Sequence, residues 1–292
     1  MTPAMDSMYG MTLPPLERYS ERVAVVRGLN PGLFTGPGTN TFLCGTGDRP
    51  ILLDTGSGHA DYPDLLERGL SQLCGTDAPG EIVLTHAHPD HIGGAADVQR
   101  RFGARPVRKL PWPERDARFD VKLTPLADGE WLETEGARLQ AIWTPGHSQD
   151  HLCFWLEEEG ALFTGDVVLG AGTTVIPIDG GDMALYLETL ERLIARAPRR
   201  IYPGHGPPID DPVDRLRQYL AHRLEREQQV LEAIAAGVHT PEAIVERIYV
   251  DTPRALWPAA GMSVLSHLIK LERDQRAARS LDAAGEEHWT LV

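Results

Sequence analysis

Cysteine is scarce in this chain of 292 residues, which contains only Cys44, Cys74 and Cys153. The three are scattered without paired spacing, which argues against a disulfide framework and against a cysteine-rich zinc site. We expect them to be thiols in the hydrophobic core. Long apolar runs are also missing. None approaches the roughly 20 residues that a membrane helix needs, so the sequence predicts a protein that does not span a bilayer.

Positive charge is in short supply as well, because 28 lysine and arginine residues face 42 acidic ones and leave a formal net charge of −14. Such a surface repels nucleic acid phosphate on average, although a local basic groove can still exist. The composition, 42% hydrophobic and 24% charged, is typical of a soluble globular protein. Residues 1–12 contain no basic start followed by an apolar stretch, which predicts a cytoplasmic location.

Metal-ligating side chains are concentrated in one short segment. An apolar run at 82–84, typical of a buried strand, is followed by His86, His88, Asp90 and His91, and then by a helical pattern. Imidazole and carboxylate groups are ligands of zinc, and burying four of them without a cation leaves them unpaired. Residues two apart point the same way in an extended backbone, so the first two histidines can reach one ion. Asp90 and His91, beyond a proline bend, can reach a second one.

Three later strand ends each place one further ligand beside a glycine, and these ligands are His147, Asp166 and His205. Glycine lets the backbone turn sharply and brings a short side chain close to an ion. Any single pair of this kind would mean little. All of them together with the first segment predict a metal site built from distant loops.

Strands and helices alternate over the first part of the chain, with added antiparallel stretches, which predicts a layered α/β domain at 1–214. From about residue 215 the pattern changes to helices and a terminal hairpin, so a winged-helix-like domain is predicted at 215–292. Its helices are expected at 216–236, 240–248 and 262–276. The third helix mixes basic with acidic residues, which favours a structural or dimerising role over DNA binding.

The ordered ligand set resembles that of the metallo-β-lactamase superfamily, over about residues 22–210. The resemblance implies a four-layer αββα sandwich and two divalent metal ions, zinc before others. Ligands of that family correspond here to His86, His88 and His147 for the first ion, Asp90, His91 and His205 for the second, and Asp166 between both. Asp54 occupies the place of an aspartate that supports the ligand loop, although a capped turn after a strand is an equal interpretation.

The C-terminal region carries a closer resemblance. The runs 221–228, 248–249 and 266–268, together with residues 172–175, are similar to the lactamase-β-like protein 2 family. Its animal member is a mitochondrial endoribonuclease, whereas bacterial and fungal relatives of the same outline are implied to act on esters or thioesters. The resemblance leaves the substrate open between a small acyl compound and single-stranded RNA.

The predicted chemistry follows from the number of ligands. Seven protein ligands shared by two ions leave open coordination for a water, and ions on the order of 3.5 to 4 Å apart lower its pKa. We therefore expect a metal-bridging hydroxide as the nucleophile, with Asp90 as the catalytic residue that orients it and passes a proton to the leaving group. The predicted function is a di-zinc hydrolase that cleaves an ester, a thioester or a related acyl bond of a small-molecule substrate.

Other functions stay open. A single-stranded RNA endonuclease would need a basic groove, for which the candidates are Arg100, Arg101, Arg105, Arg108 and Lys109. A persulfide dioxygenase of the same superfamily would bind one iron through His86, His147 and Asp166. A β-lactamase is disfavoured because neither a secretory signal nor a cysteine ligand is found. A non-enzymatic nucleic-acid module is disfavoured by the complete ligand set. A homodimer is a further open prediction.

Overall fold

The structure is a computed structural model that describes residue 8, residues 10–281, residue 285 and residues 287–292. Its strands are Leu16–Arg18 (β1), Val23–Arg27 (β2), Asn40–Cys44 (β3), Ile51–Leu53 (β4), Glu81–Val83 (β5), Val107–Lys109 (β6), Leu123–Pro125 (β7), Trp131–Thr134 (β8), Ala137–Trp143 (β9), Leu152–Leu156 (β10), Ala161–Gly165 (β11), Arg200–Pro203 (β12), Ala277–Leu281 (β13) and Glu287–Leu291 (β14). Its α-helices are Tyr62–Gly69 (α1), Pro89–Ile92 (α2), Ala95–Phe102 (α3), Pro113–Asp116 (α4), Met183–Arg196 (α5), Pro212–Ala235 (α6), Pro241–Ile248 (α7) and Trp257–Arg273 (α8). None of these described helices is both long and apolar enough to cross a membrane.

Two sheets form the body of the chain. In the described residues, β1 to β7 make one sheet in sequence order, antiparallel from β1 to β4 and parallel from β4 to β7. The other sheet has the order β12-β11-β10-β9-β8, in which only the pairing of β11 with β12 is parallel. Because β10 runs opposite to both of its neighbours, β9, β11 and β12 all end at the same edge.

Hydrogen bonds join the two sheets at that edge. The side-chain amide of Asn40, at the start of β3, donates to the carbonyls of Pro203 and Gly206 at 2.8 Å each. The backbone N–H of Leu152 donates to the carbonyl of Thr85 at 2.8 Å. The loops that follow β5, β9 and β12 therefore meet where strands of both sheets end, which is where α/β folds place their sites.

Each sheet packs one face on the other sheet and its second face on helices. Between the sheets, Val25 and Phe42 of the first pack with Phe154 and Phe163 of the second. Helices α1 and α3 cover the outer face of the first sheet, and α5 with the first half of α6 covers that of the second. Strands buried on both faces read as continuous apolar runs, as in β2 and β11. The predicted αββα sandwich is confirmed.

Helix α6 contributes to two cores. Leu216 and Tyr219 in its first half pack with α5 over the second sheet, whereas Val230 and Ile234 pack with α7, α8 and Trp289 of β14. The three helices and the β13–β14 hairpin form the predicted winged-helix-like unit. The domain boundary at residue 214 stays a prediction, since α6 runs across it without a break.

Several element boundaries differ from the sequence prediction. The sequence pattern predicts one helix over 92–102, but the structure has two helices, α2 and α3, separated by Gly93 and Gly94. This turn packs closely on the loop after β4, where a Cβ at Gly93 would lie 2.8 Å from the backbone of Ser57. Residues 1–20 show no regular pattern in the sequence, which predicts an irregular lead-in, but they contain β1, which pairs with β2. Residues 1–7 and 9 of that lead-in, and 282–284 and 286 of the predicted hairpin turn, lie outside the described residues.

Candidate metal centre

The seven candidate ligands come from four loops at the shared edge of the two sheets. The loop after β5 with the first turn of α2 carries four of them, and the loops after β9, β11 and β12 carry one each. The structure collects them in two groups, within each of which the ligand atoms all lie within 4.8 Å of one another: His86, His88 and His147 form the first group, and Asp90, His91, Asp166 and His205 form the second.

In the first group, three ring nitrogens converge. Nε2 of His86 lies 2.8 Å from Nδ1 of His88, and Nε2 of His147 lies 2.9 Å from that same atom. The Nδ1–H of His147 donates to the carbonyl of Val175 at 2.8 Å, and the Nδ1–H of His86 donates to Oγ1 of Thr85 at 2.9 Å. Both Nε2 atoms therefore carry lone pairs, and His88 can donate a proton to only one of them. A cation at their centre satisfies all three nitrogens.

Asp166 lies between the two groups. Its Oδ1 is 3.2 Å from Nε2 of His91 and 3.3 Å from Nε2 of His205, while its Oδ2 faces Nε2 of His147 at 3.7 Å. Oδ2 of Asp90 lies 3.2 Å from Nε2 of His205. Among the described residues, Nε2 of His91 and Oδ1 of Asp166 are buried atoms without a hydrogen-bond partner. Buried polar atoms of this kind fit the coordination of an ion.

The two groups differ in charge. Burial, together with His147, lowers the pKa of His88 to about 3, and burial with the neighbouring histidines lowers the pKa of His86 well below its usual value. In the second group, burial lowers the pKa of His205, but Asp166 and Asp90 outweigh burial and raise it to about 9. Burial raises the pKa of Asp90, but His91 and His205 outweigh it and bring that pKa to about 2. The first group offers neutral imidazoles, whereas in the second group two carboxylates raise the pKa of the two imidazoles that they face, His91 and His205. A divalent cation would take the place of those protons in the second group and would bind the free nitrogen lone pairs of the first.

Comparison with known families identifies this arrangement. A family model described as the metallo-β-lactamase superfamily matches residues 34–205, a range that contains all seven candidate ligands. The chain belongs to the metallo-β-lactamase superfamily. A second family model, the β-lactamase associated winged helix domain, matches residues 240–289. The resemblance noted in the sequence is confirmed in both parts of the chain.

Relatives in the superfamily match nearly the whole chain. A "Beta-lactamase-like protein 2 homolog" of Drosophila melanogaster is 36% identical and covers 95% of this chain and 96% of its own length. An "Atrochrysone carboxyl ACP thioesterase" of Claviceps purpurea is 37% identical and covers 96% of this chain and 89% of its own length. The crystal structure of a β-lactamase domain protein from Burkholderia ambifaria superposes with a TM-score of 0.82 at 20% identity, covers 99% and 97%, and shows the same fold. With thioesterases among such relatives, membership of the metallo-β-lactamase superfamily makes this chain a metal-dependent hydrolase.

Asp54 contacts the ligand loop from behind. Its Oδ1 accepts the backbone N–H of Thr85 at 2.8 Å, and its Oδ2 accepts the Nδ1–H of His91 at 2.7 Å. Asp54 holds a left-handed backbone conformation with φ of 61°, which a short polar side chain tolerates better than a branched one. One buried carboxylate thus holds both the start of the loop and one candidate ligand.

Sequence reasoning missed Asp150, which joins two ligand loops. Its Oδ2 accepts the backbone N–H of Ala87, between the first two candidate ligands, at 2.9 Å, and its Oδ1 accepts the hydroxyl of Ser148 beside His147. Lys109 donates to Oδ2 of Asp150 at 2.6 Å and also pairs with Asp116 at 2.9 Å. The burial of an ion pair leaves no trace in the composition. The one signal in the sequence was that Asp150 follows the candidate ligand His147 by three residues.

His151 contacts Asp166 through the backbone. Its Nε2 accepts the N–H of Asp166 at 3.1 Å, and its Nδ1–H donates to Oγ1 of Thr144 at 2.9 Å. Burial and the neighbouring His147 hold the pKa of His151 well below its usual value, so the ring is neutral. The side chain of Asp166 is also crowded by the loop after β12. A Cβ at Gly204 would lie 2.6 Å from Oδ1 of Asp166, so this loop needs a glycine at that position.

Proposed function

We propose that this chain hydrolyses the acyl bond of a small ester or thioester, with two divalent ions, zinc before others, bound by the seven residues of the two groups. The position of Asp166 carries the proposal, because one of its carboxylate oxygens faces each group. The convergent lone pairs of His86 and His147 support it. A thioesterase at 37% identity over 96% of the chain favours acyl transfer to water over other reactions of the superfamily.

Two ions bound there would supply an activated water and polarise the substrate carbonyl. The chain's own residues bind, orient and move protons. Asp90 is ionised at neutral pH, since His91 and His205 outweigh burial and bring its pKa to about 2. Its side chain is 26% exposed, more than that of any of its partners in the second group, so it can reach solvent and substrate. We assign to Asp90 the transfer of a proton from the attacking water to the leaving group.

The basic residues proposed for an RNA groove are engaged with carboxylates or with backbone. Arg100, Arg101 and Arg108 form ion pairs with Asp97, Glu67 and Glu130 respectively. Arg105 donates to the carbonyl of Phe102, and Lys109 is only 1% exposed. Lys109 therefore cannot line a groove, and three of the other four candidates have their charge compensated by a carboxylate. This weighs against RNA as the substrate of the metal centre.

One experiment tests the proposal. Purified protein is subjected to elemental analysis, and the loaded enzyme is then supplied in parallel with acyl thioesters, lactones, β-lactams and single-stranded RNA. We expect two zinc ions per chain and turnover of thioesters, lost on the order of 10²- to 10⁴-fold in Asp90→Asn. Salt-sensitive cleavage of RNA without acyl turnover would establish the endonuclease instead, and one iron per chain would establish the dioxygenase.

The cytoplasmic location and the homodimer stay predictions from the sequence. Fractionation of the source cells tests the first, and light scattering of the purified full chain tests the second. A small-molecule substrate is the partner that the proposed reaction requires.

A further inference from the structure

The loop between β11 and α5 separates the first metal-binding group from the C-terminal helices. From the side of the metal centre, the carbonyl of Val175 accepts the Nδ1–H of His147 at 2.8 Å, and Oγ1 of Thr174 lies 3.1 Å from the same nitrogen. This contact turns Nε2 of His147 toward His88, 2.9 Å away. Whatever holds residues 174–176 therefore determines where His147 points.

Two side chains from the C-terminal helices hold these residues from the opposite side. The guanidinium of Arg223, in α6, donates to the carbonyl of Thr174. The hydroxyl of Ser266, in α8, donates to the carbonyl of Ile176 at 2.6 Å. The two carbonyls flank that of Val175, so the loop is fixed on each side of the group that orients His147. Arg223 is 2% exposed and Ser266 is 6% exposed, which removes competition from water.

Further contacts of α6 keep Arg223 and the loop in place. The guanidinium of Arg223 lies over the ring of Tyr186, 5.5 Å from its centroid. One turn earlier, the hydroxyl of Tyr219 donates to the carbonyl of Gly172 at 3.0 Å, and Arg215 donates to the same carbonyl at 2.9 Å. Three successive turns of one helix face thus hold the loop at two positions, Gly172 and Thr174.

We infer that the C-terminal helices position the metal ligand His147, and that Arg223 and Ser266 are the positioning residues. The inference rests on the proposed function, since it assumes that the first group binds a metal ion. A ligand whose other ring nitrogen is held by a fixed acceptor keeps its tautomer and its direction, and outer contacts of this kind change metal affinity by about 10- to 100-fold. The winged-helix-like unit is then part of the metal centre, although it supplies no ligand.

The test compares Ser266→Ala and Arg223→Met with matched variants of the same helices. Ser263→Ala removes a buried hydroxyl one turn earlier in α8, and Arg226→Met removes a guanidinium that packs over Tyr249 at 4.7 Å instead of on the loop. The first equivalent of Co²⁺ is titrated into metal-free protein against a chromophoric chelator, and its visible absorption is recorded. Urea unfolding of the metal-free proteins measures stability separately.

We expect Ser266→Ala and Arg223→Met to lower the affinity for the first equivalent of Co²⁺ about 10- to 100-fold and to change the visible absorption of the bound cobalt. The two matched variants stay within about twofold of the wild type, and Ser266→Thr, which keeps the hydroxyl, restores the affinity. Ser266→Ala carries the test if Arg223→Met does not fold. Unchanged cobalt affinity and absorption in Ser266→Ala, with or without a loss of stability, would overturn the positioning role alone. A wild-type chain that binds no metal would overturn the proposed function as well.

Discussion

Asp54 accepts the Nδ1–H of His91 at 2.7 Å and thereby turns Nε2 of His91 toward Asp166, whose Oδ1 lies 3.2 Å away. The same carboxylate accepts the N–H of Thr85, so the orientation of the ring and the path of the ligand loop depend on one side chain. A carboxylate in this position selects the tautomer that can bind a metal.

Replacement of that carboxylate by an amide tests the relationship. In Asp54→Asn, the carbonyl oxygen can still accept from Thr85, but the NH₂ group faces Nδ1 of His91 and favours the opposite tautomer. We expect the second zinc equivalent to bind about 10- to 100-fold more weakly, with the first little changed. Competition titration with a chelator measures both. Asp61→Asn, at an exposed site, is the matched variant, and two zinc equivalents of wild-type affinity in Asp54→Asn would contradict the prediction.

Substitution of a candidate ligand should show which of the two groups binds which ion. We expect His88→Ala to weaken the first ion and abolish hydrolysis, because His88 is the residue that both Nε2 atoms of the group face. Asp166→Ala should loosen both ions, since its oxygens face both groups. Elemental analysis and turnover are measured together, with the exposed His59→Ala as reference. Retained turnover with full metal occupancy in either ligand variant refutes the ligand assignment.

Lys109 is a buried cation whose removal leaves two carboxylates unbalanced. Its side chain is fully buried and lies 2.6 Å from Asp150 and 2.9 Å from Asp116. We expect Lys109→Met to lower the free energy of unfolding by about 3–5 kcal/mol, the usual result of breaking a buried pair. Exposed Lys122→Met should stay within about 0.5 kcal/mol of the wild type. Urea unfolding of the metal-free proteins measures both variants. A Lys109→Met protein as stable as the wild type would show that the fold does not depend on the ion pairs of Lys109.

Glu227 should make the C-terminal unit sensitive to acid. Burial raises the pKa of Glu227, but His267 and Lys270 outweigh burial and lower it from 4.5 to about 2. Lys270 lies 2.9 Å from it. A carboxylate with a lowered folded-state pKa stabilises the fold above its unfolded pKa, and this stabilisation is lost as pH falls through the interval between the two values.

In Glu227→Gln the contribution is absent at every pH. The difference in unfolding free energy between wild type and Glu227→Gln should therefore be largest near neutral pH and shrink as pH falls from about 4.5 toward 2. Urea unfolding of metal-free protein at several pH values follows this difference. Exposed Glu246→Gln should show no such trend, and a pH-independent difference for Glu227→Gln would rule out the assigned role.

A fragment of residues 1–214 should be poorly soluble. It removes Leu216 and Tyr219, which are fully buried against the helical layer of the second sheet, and it exposes the apolar side chains they cover. The fragment also loses the hydrogen bond by which Tyr219 holds the backbone of Leu169 at 2.9 Å. The fragment is expressed, and its solubility and its turnover are measured beside those of the full chain. A soluble, active fragment would mean that the core between the second sheet and α5 is complete without α6.

Much of the fold could be predicted because the strands of the two sheet interiors carry strong local patterns. β2, β4 and β11 are short apolar runs between turn signals, and α5 has a regular apolar stripe. The short strands β1, β6 and β7 escaped prediction, since three residues next to prolines and charges carry no period of their own. Pairing with a neighbouring strand stabilises them, and only the assembled sheet provides that neighbour.

By itself, the sequence determined which side chains can act as ligands, the order in which they occur and the family to which they belong, because donor chemistry resides in residue type and local spacing. Tertiary structure alone decided that Asp166 faces both groups and that Asp150, paired with Lys109, joins two loops that carry candidate ligands. It also decided that Arg223 and Ser266 hold the loop behind His147. These contacts connect residues tens of positions apart, so no local pattern encodes them. They exist only once both sheets and the C-terminal helices have packed.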